Sequence, residues 1–237
     1  MADRAKHWEV LFEDNHLLAI NKPAGLATMG VAEQEASLVK EAKLYLAEKY
    51  DKPGNVYLGV VSRLDAVVSG VVLFARTSKA ASRLTEAFRS RSVKKTYLAV
   101  VAGVPDEPEA ALEHYVRKDE RQQKMHTTHG EMTDAKLAKL SYQTLSHEGD
   151  YSLLEVKLET GRKHQIRVQL SKIGHPIFGD GKYGSEETFQ EGIALHAYRL
   201  ELEHPVRKEP LKLFASLPKA WKSSSRLRFA AELMTDS

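Results

Sequence analysis

The residue best placed for nucleophilic or acid–base chemistry is Asp65, which ends the motif Ser62-Arg63-Leu64-Asp65. The motif lies between two short apolar runs, 57–61 and 71–75, that have the composition of buried strands. An aspartate between strands is commonly a turn former. A carboxylate that stays ionised beside a cation can instead act as a nucleophile or a general base. The motif by itself leaves both roles open.

Further short motifs place polar and turn-forming residues at intervals along the chain. They are Asn21-Lys22-Pro23-Ala24-Gly25, Lys94-Lys95-Thr96-Tyr97-Leu98-Ala99, Gly161-Arg162-Lys163-His164-Gln165-Ile166-Arg167, Gly174-His175-Pro176-Ile177-Phe178-Gly179-Asp180 and Leu195-His196-Ala197. Two of these residues, Tyr97 and Arg167, have side chains that could serve either structure or function. The structural role for Tyr97 is that of a core residue in a buried strand. The structural role for Arg167 is that of an exposed helix residue, but it is adjacent to Ile166 and off the exposed face. We therefore expect Arg167 to point towards a cleft.

The ten histidines do not form a recognisable metal motif. His126 and His129 are spaced i, i+3 and precede Glu131, but the chain has no cysteine and no HExxH sequence. We therefore expect no metal site. Four other histidines occur inside the motifs or close a strand, and we expect them to be structural hydrogen-bonding residues: His164, His175, His196 and His204.

Hydrophobic periodicity predicts the elements that must position these residues. Residues 8–21 have two apolar runs around turn formers and indicate a hairpin. Three segments have helical spacing: 37–49 with Ser37 as its N-cap, 78–90, and 163–173 ended by Gly174. Three segments read as strands: 96–102, 151–159 and 195–203. Because strands and helices do not alternate strictly, we predict an α+β fold with a mixed or antiparallel sheet.

The middle of the chain, residues 105–150, has the least regular pattern. Its polar run, KDERQQKMHTTHGEMTDAK, has no clear period of 2 or 3.6. We therefore expect an exposed excursion there rather than a linker between domains.

Composition excludes several classes of protein. Of the 237 residues 42% are hydrophobic, and 35 basic residues face 32 acidic ones, so the chain does not have the composition of a disordered protein. The absence of cysteine excludes a disulfide framework and a thiolate nucleophile. No apolar run approaches the roughly 18 residues of a membrane span, and residues 1–10 lack the apolar block of a signal peptide. We expect a cytoplasmic protein without a membrane partner.

The net charge of +3 conceals three basic clusters. Residues 76–95 contain seven basic residues and a single acidic one, Glu86. The second cluster is Arg117, Lys118, Arg121 and Lys124, and the third is Lys219, Lys222, Arg226 and Arg228. A polyanionic partner accounts for three such clusters on a nearly neutral chain. A solvated helix face is the alternative for any one of them.

Taken together and in order, these motifs resemble the RluA family of pseudouridine synthases, over about residues 8–218. The resemblance implies an α+β fold in which helices flank a mixed, largely antiparallel central sheet with a central active-site cleft. It implies isomerisation of uridine to pseudouridine in structured RNA, either rRNA or tRNA, without cofactor or metal. Because only a few residues precede the first strand, we expect one catalytic domain over 1–237 and no N-terminal RNA-binding domain of the S4 type. We expect a monomer without an obligate protein partner.

The resemblance also implies roles for individual residues. Asp65 matches the catalytic aspartate, Arg167 the basic residue that pairs with it, and Tyr97 the tyrosine that packs on the target base. Arg63 matches a residue associated with the position of the flipped-out nucleotide. The candidate RNA-binding residues are Arg63, Arg162, Lys94, Lys95, Arg89 and Arg91.

Glycosidic cleavage explains why these residue types are needed. The sugar develops positive charge, so an ionised carboxylate near C1′ stabilises it, either by attacking C1′ or by taking a C2′ proton. A neighbouring guanidinium keeps such a carboxylate charged in a dry pocket. An aromatic ring can stack on a base that has left its helix.

Two residues depart from the family pattern, Ser62 where histidine is common and Val68 where threonine is common. Neither is the nucleophile, its charge partner or the base-stacking residue. Two other functions are weighed against the synthase: a catalytically impaired RNA-binding module of the same fold, and a glycoside hydrolase. The hydrolase needs a second carboxylate in a comparable motif, and the sequence has none.

Overall fold

The structure, a computed structural model, describes residues 7–130 and 132–234. The chain forms two compact units. The first unit comprises Met1–Val93 and Tyr198–Ser216, and the second comprises Lys94–Ala197 and Leu217–Ser237. The single catalytic domain expected from the sequence stays a prediction.

The first unit begins with the expected hairpin. Strands β1 (Glu9–Glu13) and β2 (Leu17–Lys22) pair antiparallel. The Asp14 carboxylate closes the turn, because its Oδ1 accepts hydrogen bonds from the backbone N–H groups of His16 at 2.8 Å and Leu17 at 2.7 Å. The hairpin predicted over 8–21 is confirmed.

Strand β4 (Ser69–Ala75) is buried along its whole length and pairs antiparallel with β2. It also pairs with the short strand β3 (Gly59–Val60). The loop that contains Asp65 therefore lies between two strands, as the sequence predicted, and the structure shows that these strands pair antiparallel. In the same unit, residues 199–203 pair antiparallel with a further strand, Pro210–Phe214.

Two helices contribute to two separate cores of this unit. Helix α1 (Leu38–Lys49) packs with Leu18, Ile20, Val72 and Phe74. Helix α2 (Ser78–Arg89) packs with the alternate residues of the same two strands, Leu17, Ala19, Val71 and Leu73. Since successive strand residues point to opposite faces, the helices cover opposite sides of β2 and β4. Both helices were predicted within two residues of their ends.

The helix caps differ from one another. The Thr77 hydroxyl accepts a hydrogen bond from the backbone N–H of Ala80 at 3.2 Å and caps α2. Ser37 occupies the N-cap position of α1, but its side chain makes no capping hydrogen bond. The predicted position of Ser37 is therefore confirmed, and the predicted capping function of its hydroxyl is wrong.

The second unit contains five consecutively paired antiparallel strands in the order β5-β9-β8-β6-β7. Their bounds are β5 Lys94–Ala102, β6 Glu109–Asp119, β7 Lys124–Thr128, β8 Lys136–Glu148 and β9 Tyr151–Leu158. Strand β10 (Leu195–Glu203) begins in this unit and ends in the first, and β11 is Pro210–Phe214.

The helices of the second unit are short. They are α3 Gln165–Lys172, a 3₁₀ turn at Gly181–Tyr183, α4 Lys219–Ser223 and α5 Arg228–Leu233. Helix α3 lies inside the predicted range, and Gly174 beyond its end has the left-handed φ of +88° that such a terminus favours. No helix within the described ranges has the length and apolar character that crossing a lipid bilayer requires. The predicted α+β fold class is confirmed.

Residues 105–150 contain three strands of the second unit that the sequence did not predict, β6, β7 and β8. The polar run expected to be an exposed excursion, 118–136, contains β7, and most of its other described residues are exposed. Along β6, exposed residues such as Glu109 and Glu113 alternate with half-buried ones such as Leu112. The alternation in hydropathy is blurred, because the aromatic Tyr115 lies on the exposed side of the strand and the polar His114 lies on the half-buried side.

Candidate active site

The Asp65 loop lies in the first unit between β3 and β4. Asp65 is half-buried, and Arg63 two residues earlier is exposed. The backbone carbonyl of Asp65 accepts a hydrogen bond from the N–H of Val68 at 3.1 Å, which closes a tight turn over 65–68. The predicted nucleophile thus occupies the first position of a turn.

The residues on either side of Asp65 are held by the segment that follows β2. The Thr28 hydroxyl donates to the carbonyl of Leu64 at 2.9 Å and accepts from the N–H of Leu64 at 3.1 Å. The carbonyl of Ala66 accepts from the N–H of Gly25 at 2.8 Å and from the Lys22 ammonium at 3.1 Å. The segment 22–28 therefore fixes the residues on both sides of Asp65. The motif at 21–25 had no assigned role on the basis of the sequence.

Lys22 is a fully buried charge beside this loop. Its Nζ donates to the carbonyls of Pro23 at 2.7 Å, Leu26 at 2.8 Å and Ala66 at 3.1 Å. Burial lowers the pKa of Lys22 to about 7, and the negative charge of Asp65 acts in the opposite direction. Because a neutral amine has only two N–H groups, three carbonyl acceptors favour the ammonium form. Sequence analysis missed this residue as a charge near Asp65.

Ser62, which departs from the family pattern, is bonded to the middle of β4. Its hydroxyl donates to the carbonyl of Leu73 at 3.2 Å and accepts from the N–H of Leu73 at 3.0 Å. Leu73 itself is fully buried. The hydroxyl thus fixes the start of the Asp65 loop to a rigid strand.

Arg167 lies in the second unit on α3, where every residue from Gln165 to Leu170 is buried. Its Nε donates to Oδ2 of Asp180 at 2.6 Å, and its Nη2 donates to Oδ1 at 2.8 Å. The guanidinium also lies 4.9 Å from the centre of the Tyr183 ring. The expected position of Arg167 off the exposed face of the helix is confirmed, whereas its orientation towards a cleft and its pairing with Asp65 stay predictions. Sequence analysis did not identify Asp180 as a partner.

The phenol of Tyr183 links three segments of this unit. It accepts a hydrogen bond from the N–H of Met125 at 2.9 Å and lies 2.8 Å from Nδ1 of His164. His164 has a left-handed φ of +52°, which is uncommon for a residue with a Cβ.

Two other histidines of the motifs also have structural hydrogen bonds. The Nδ1 of His175 is bonded to the carbonyl of Ala102, and the Nε2 of His204 is bonded to the carboxylate of Asp14. The structural role predicted for these three histidines is confirmed.

Tyr97 lies in the second unit on β5, opposite Val156 of β9. It is half-buried between the buried residues Thr96 and Leu98. Because side chains alternate along a strand, Tyr97 points to the other face from its two neighbours. The structure therefore leaves part of its side chain accessible.

The basic residues around 76–95 have different environments. Arg76 is bound to Glu13 at 3.2 Å with only 8% of its side chain exposed. Arg83 donates to the carbonyl of Pro205 at 2.7 Å. Arg89 pairs with Glu86 on the exposed side of α2, and Arg91 and Lys94 are exposed. Arg76 is therefore unavailable to a phosphate, whereas Arg89, Arg91 and Lys94 are accessible.

Lys95 and Arg162 lie close to Gly161 in the second unit. The Lys95 ammonium lies next to the backbone of Gly161, 3.6 Å from the position that a Cβ atom would occupy if this residue had a side chain. The Nε of Arg162 donates to the carbonyl of Leu137 at 2.8 Å, which fixes the side chain against β8. Arg162 has a structural contact in addition to the RNA-binding role predicted for it.

An open groove of about 1140 Å³ in the second unit is rich in basic residues. It is lined by parts of β6, β7 and β8 and by residues 161–163. Its basic residues are Arg117, Lys118, Arg121, Lys136, Arg162 and Lys163, against the acidic Asp119, Glu120 and Asp134. The sequence indicated the cluster that contains Arg117 and, separately, Arg162, but their presence in one groove depends on the fold, which brings together positions far apart in the chain.

Within the described ranges no group of three metal-ligating side chains occurs. His126 lies 3.9 Å from Asp119 across the β6–β7 pair. Glu131, the third residue of the sequence pattern, lies outside the described residues.

The chain is similar to known RNA-modifying proteins along most of its length. A family model described as RNA pseudouridylate synthase matches residues 16–172. An uncharacterized RNA pseudouridine synthase of Bacillus subtilis, YhcT, is 31% identical and covers 94% of the chain and 72% of that protein. The ribosomal large subunit pseudouridine synthase D of Pseudomonas aeruginosa is 34% identical, with 89% and 68% covered.

A bacterial tRNA synthase and a solved human structure are also similar to the chain. The tRNA pseudouridine synthase C of Pectobacterium carotovorum is 32% identical, with 90% of the chain and 60% of that protein covered. The structure of human RNA pseudouridylate synthase domain containing 4 superposes with a TM-score of 0.76 at 28% identity, with 92% of each chain covered.

Proposed function

Since the chain belongs to the RNA pseudouridine synthase family, we propose that Asp65 is its catalytic aspartate and that structured rRNA or tRNA is its substrate. The observation that carries the assignment of Asp65 is the fixation of its backbone on both sides. Buried groups of Thr28 and Lys22 bind Leu64 and Ala66, the residues before and after it. A catalytic group needs such fixed geometry, and an ordinary turn residue does not.

The reaction is an isomerisation without net gain or loss of atoms. The bond between N1 of the base and C1′ of the sugar breaks, the base turns, and C5 bonds to C1′. The proton at C5 then leaves and N1 is protonated. The Asp65 carboxylate stabilises the cationic sugar either by attack on C1′ or by removal of a C2′ proton.

Arg167 and Tyr97 complete the proposed catalytic set. Arg167 is the cation that keeps the catalytic carboxylate ionised, and the bidentate contact with Asp180 supports this role because it fixes the direction of the guanidinium. Tyr97 stacks on the flipped uridine through the accessible part of its ring. Its hydroxyl is the candidate acceptor for the C5 proton.

RNA capture is assigned to accessible basic residues. Arg89, Arg91 and Lys94 are exposed, and Arg63 is exposed beside the catalytic loop. Arg162 and Gly161 line the basic groove of the second unit, and the Lys95 ammonium lies close to Gly161. Such a groove binds the phosphodiester backbone without reading its sequence.

The class of RNA is proposed from the relatives. One is named as a large-subunit ribosomal synthase and another as a tRNA synthase. Nothing in the comparisons favours the catalytically impaired alternative. Action on either RNA agrees with a cytoplasmic, monomeric enzyme, as expected from the sequence.

The decisive experiment maps pseudouridine in RNA from cells with and without the gene. We expect at least one uridine in rRNA or tRNA to lose its modification, and the wild-type gene to restore it. The gene for Asp65→Asn should not restore it, although the variant should fold and bind RNA because only a charge is lost. A variant rate above about a thousandth of wild type contradicts the assignment of Asp65.

A further inference from the structure

We infer that Thr28 and Ser62 are positioning residues whose hydroxyl groups fix the direction of the Asp65 carboxylate. The inference rests on the proposed function, because it concerns the residue proposed to carry the reaction. Neither hydroxyl is expected to contact RNA. Both act on the backbone of the loop that holds the aspartate.

The contact of Thr28 is the more direct of the two. Its side chain is 2% exposed, and its single hydroxyl binds both the N–H and the carbonyl of Leu64. The Leu64 carbonyl belongs to the same rigid peptide plane as the N–H of Asp65. A hydroxyl that fixes this plane also limits the backbone rotation that would swing the Asp65 side chain.

Ser62 makes the same two-point contact at the start of the loop. Its hydroxyl binds both the N–H and the carbonyl of Leu73, which is fully buried in β4 and pairs with Ala19 of β2. The loop is thereby attached to the middle of a strand that has neighbours on both sides. Serine at this position of the motif therefore has a defined task, although the family commonly has histidine there.

The two hydroxyls act on the part of the loop that precedes Asp65. After Asp65, the carbonyl of Ala66 is bound by Gly25 and Lys22, and the turn is closed by Val68. Before Asp65, residues 61–64 have no regular secondary structure. Since a catalytic group must be held to within a fraction of an ångström, contacts on one side alone are insufficient.

The test compares variants that keep or remove each hydroxyl. Thr28→Val keeps the shape of the side chain without the hydroxyl, and Thr28→Ser keeps the hydroxyl. Ser62→Ala and Ser62→Thr form the second pair. The probe is total RNA from cells that lack the gene, labelled with tritium at uridine C5. Single-turnover tritium release gives the maximal rate and the half-saturating enzyme concentration of each variant.

We expect Thr28→Val and Ser62→Ala to lower the maximal rate by about tenfold or more, with half-saturating concentrations within about twofold of wild type. Thr28→Ser and Ser62→Thr should recover most of the rate. Thr77→Val is the matched control, because Thr77 also binds backbone through its hydroxyl in the first unit but caps α2. The control should lower thermal stability and leave the rate unchanged.

Three results overturn the inference. They are a wild-type rate in both hydroxyl-free variants, an effect confined to the half-saturating concentration, or an equal loss in the variants that keep the hydroxyl. If Thr28→Val does not fold, the Ser62 pair decides by the same criteria. If the wild type releases tritium and the hydroxyl-free variants do so at the same rate, this inference alone is overturned. If the wild type itself releases no tritium, the proposed function is overturned as well.

Discussion

Arg167 and Asp180 form a two-point ion pair in which both side chains are almost completely buried. The Nε–Oδ2 distance is 2.6 Å and the Nη2–Oδ1 distance is 2.8 Å. The planar guanidinium matches the carboxylate, so the pair fixes the orientation of Arg167 as well as its position. One face of the arginine is further covered by the ring of Tyr183. Arg167 is therefore a charge whose direction is set before any substrate arrives.

Asp180→Asn should be strongly destabilising, because it removes the carboxylate charge that binds and orients the buried guanidinium of Arg167 at two points. We expect a loss of about 3–5 kcal/mol in the free energy of unfolding, measured by urea denaturation. The control is Glu209→Gln, which breaks the exposed pair of Glu209 with Arg207 and should cost no more than about 1 kcal/mol. Equal effects of the two substitutions would contradict the importance assigned to the buried pair.

Glu13 should make stability depend on acid pH. Burial alone would raise its pKa, but hydrogen bonds from Lys49, Tyr50 and Tyr45 outweigh burial and lower the pKa to about 2. Since the folded pKa lies below the unfolded value near 4.5, the stabilisation is complete above about pH 4.5 and is lost as pH falls towards 2. At neutral pH it amounts to about 3 kcal/mol.

Chemical denaturation of wild type and Glu13→Gln between pH 2 and pH 7 measures this contribution. The two proteins should differ most at neutral pH and converge at the acid end, since wild-type Glu13 is then protonated as well. A difference that stays constant across this range would show that the hydrogen bonds of the neutral side chain, rather than its charge, provide the stability.

The two sets of basic residues should contribute separately to RNA affinity. Replacing Arg89, Arg91, Lys94 and Lys95 with alanine should weaken binding and flatten its salt dependence, by about 0.7–0.9 in the slope of log K against log salt for each lost phosphate contact. The same test applies to Arg117, Lys118, Arg121 and Lys136 of the groove. Turnover at saturating RNA should fall much less. An unchanged salt slope identifies a set as solvated surface only.

Tyr97→Phe should separate stacking from proton transfer. The ring remains, so RNA binding should weaken by less than about 1 kcal/mol. If the hydroxyl accepts the C5 proton, the variant should release little tritium from C5 and retain rearranged uridine on the enzyme. Tyr97→Leu should also lose affinity, because it has no ring. Tritium release by Tyr97→Phe at the wild-type rate would leave Tyr97 as a stacking residue alone.

Local pattern was sufficient to predict some elements and insufficient for others. The hairpin around Asp14 and the helix before Gly174 follow from turn formers and from apolar spacing, which are properties of neighbouring residues. Strand β6 was missed, because an aromatic residue, Tyr115, lies on its exposed side and a polar one, His114, lies on its half-buried side. Its strand conformation depends on pairing with residues far along the chain, and local hydropathy does not report such pairing.

In the candidate site, too, some residues could be predicted from the sequence and others could not. Asp65, Tyr97 and Arg167 were identified from motifs that resemble a family. Thr28 was not, because a threonine near a turn has many ordinary roles and its bond to Leu64 spans 36 positions. Likewise, nothing local distinguishes Lys22 from a surface lysine until the fold buries it against three carbonyl groups.

The discontinuity of the first unit has a consequence for biosynthesis. Its core includes Leu17 and Leu73 from early in the chain and Leu200 and Leu213 from late in it. On the ribosome, residues 94–197 must be translated before the later strands emerge. At ~5–20 residues per second this takes roughly 5–20 s. During that interval the early strands lack part of their packing partners, so nascent chains halted before residue 198 should be more sensitive to protease than the released protein.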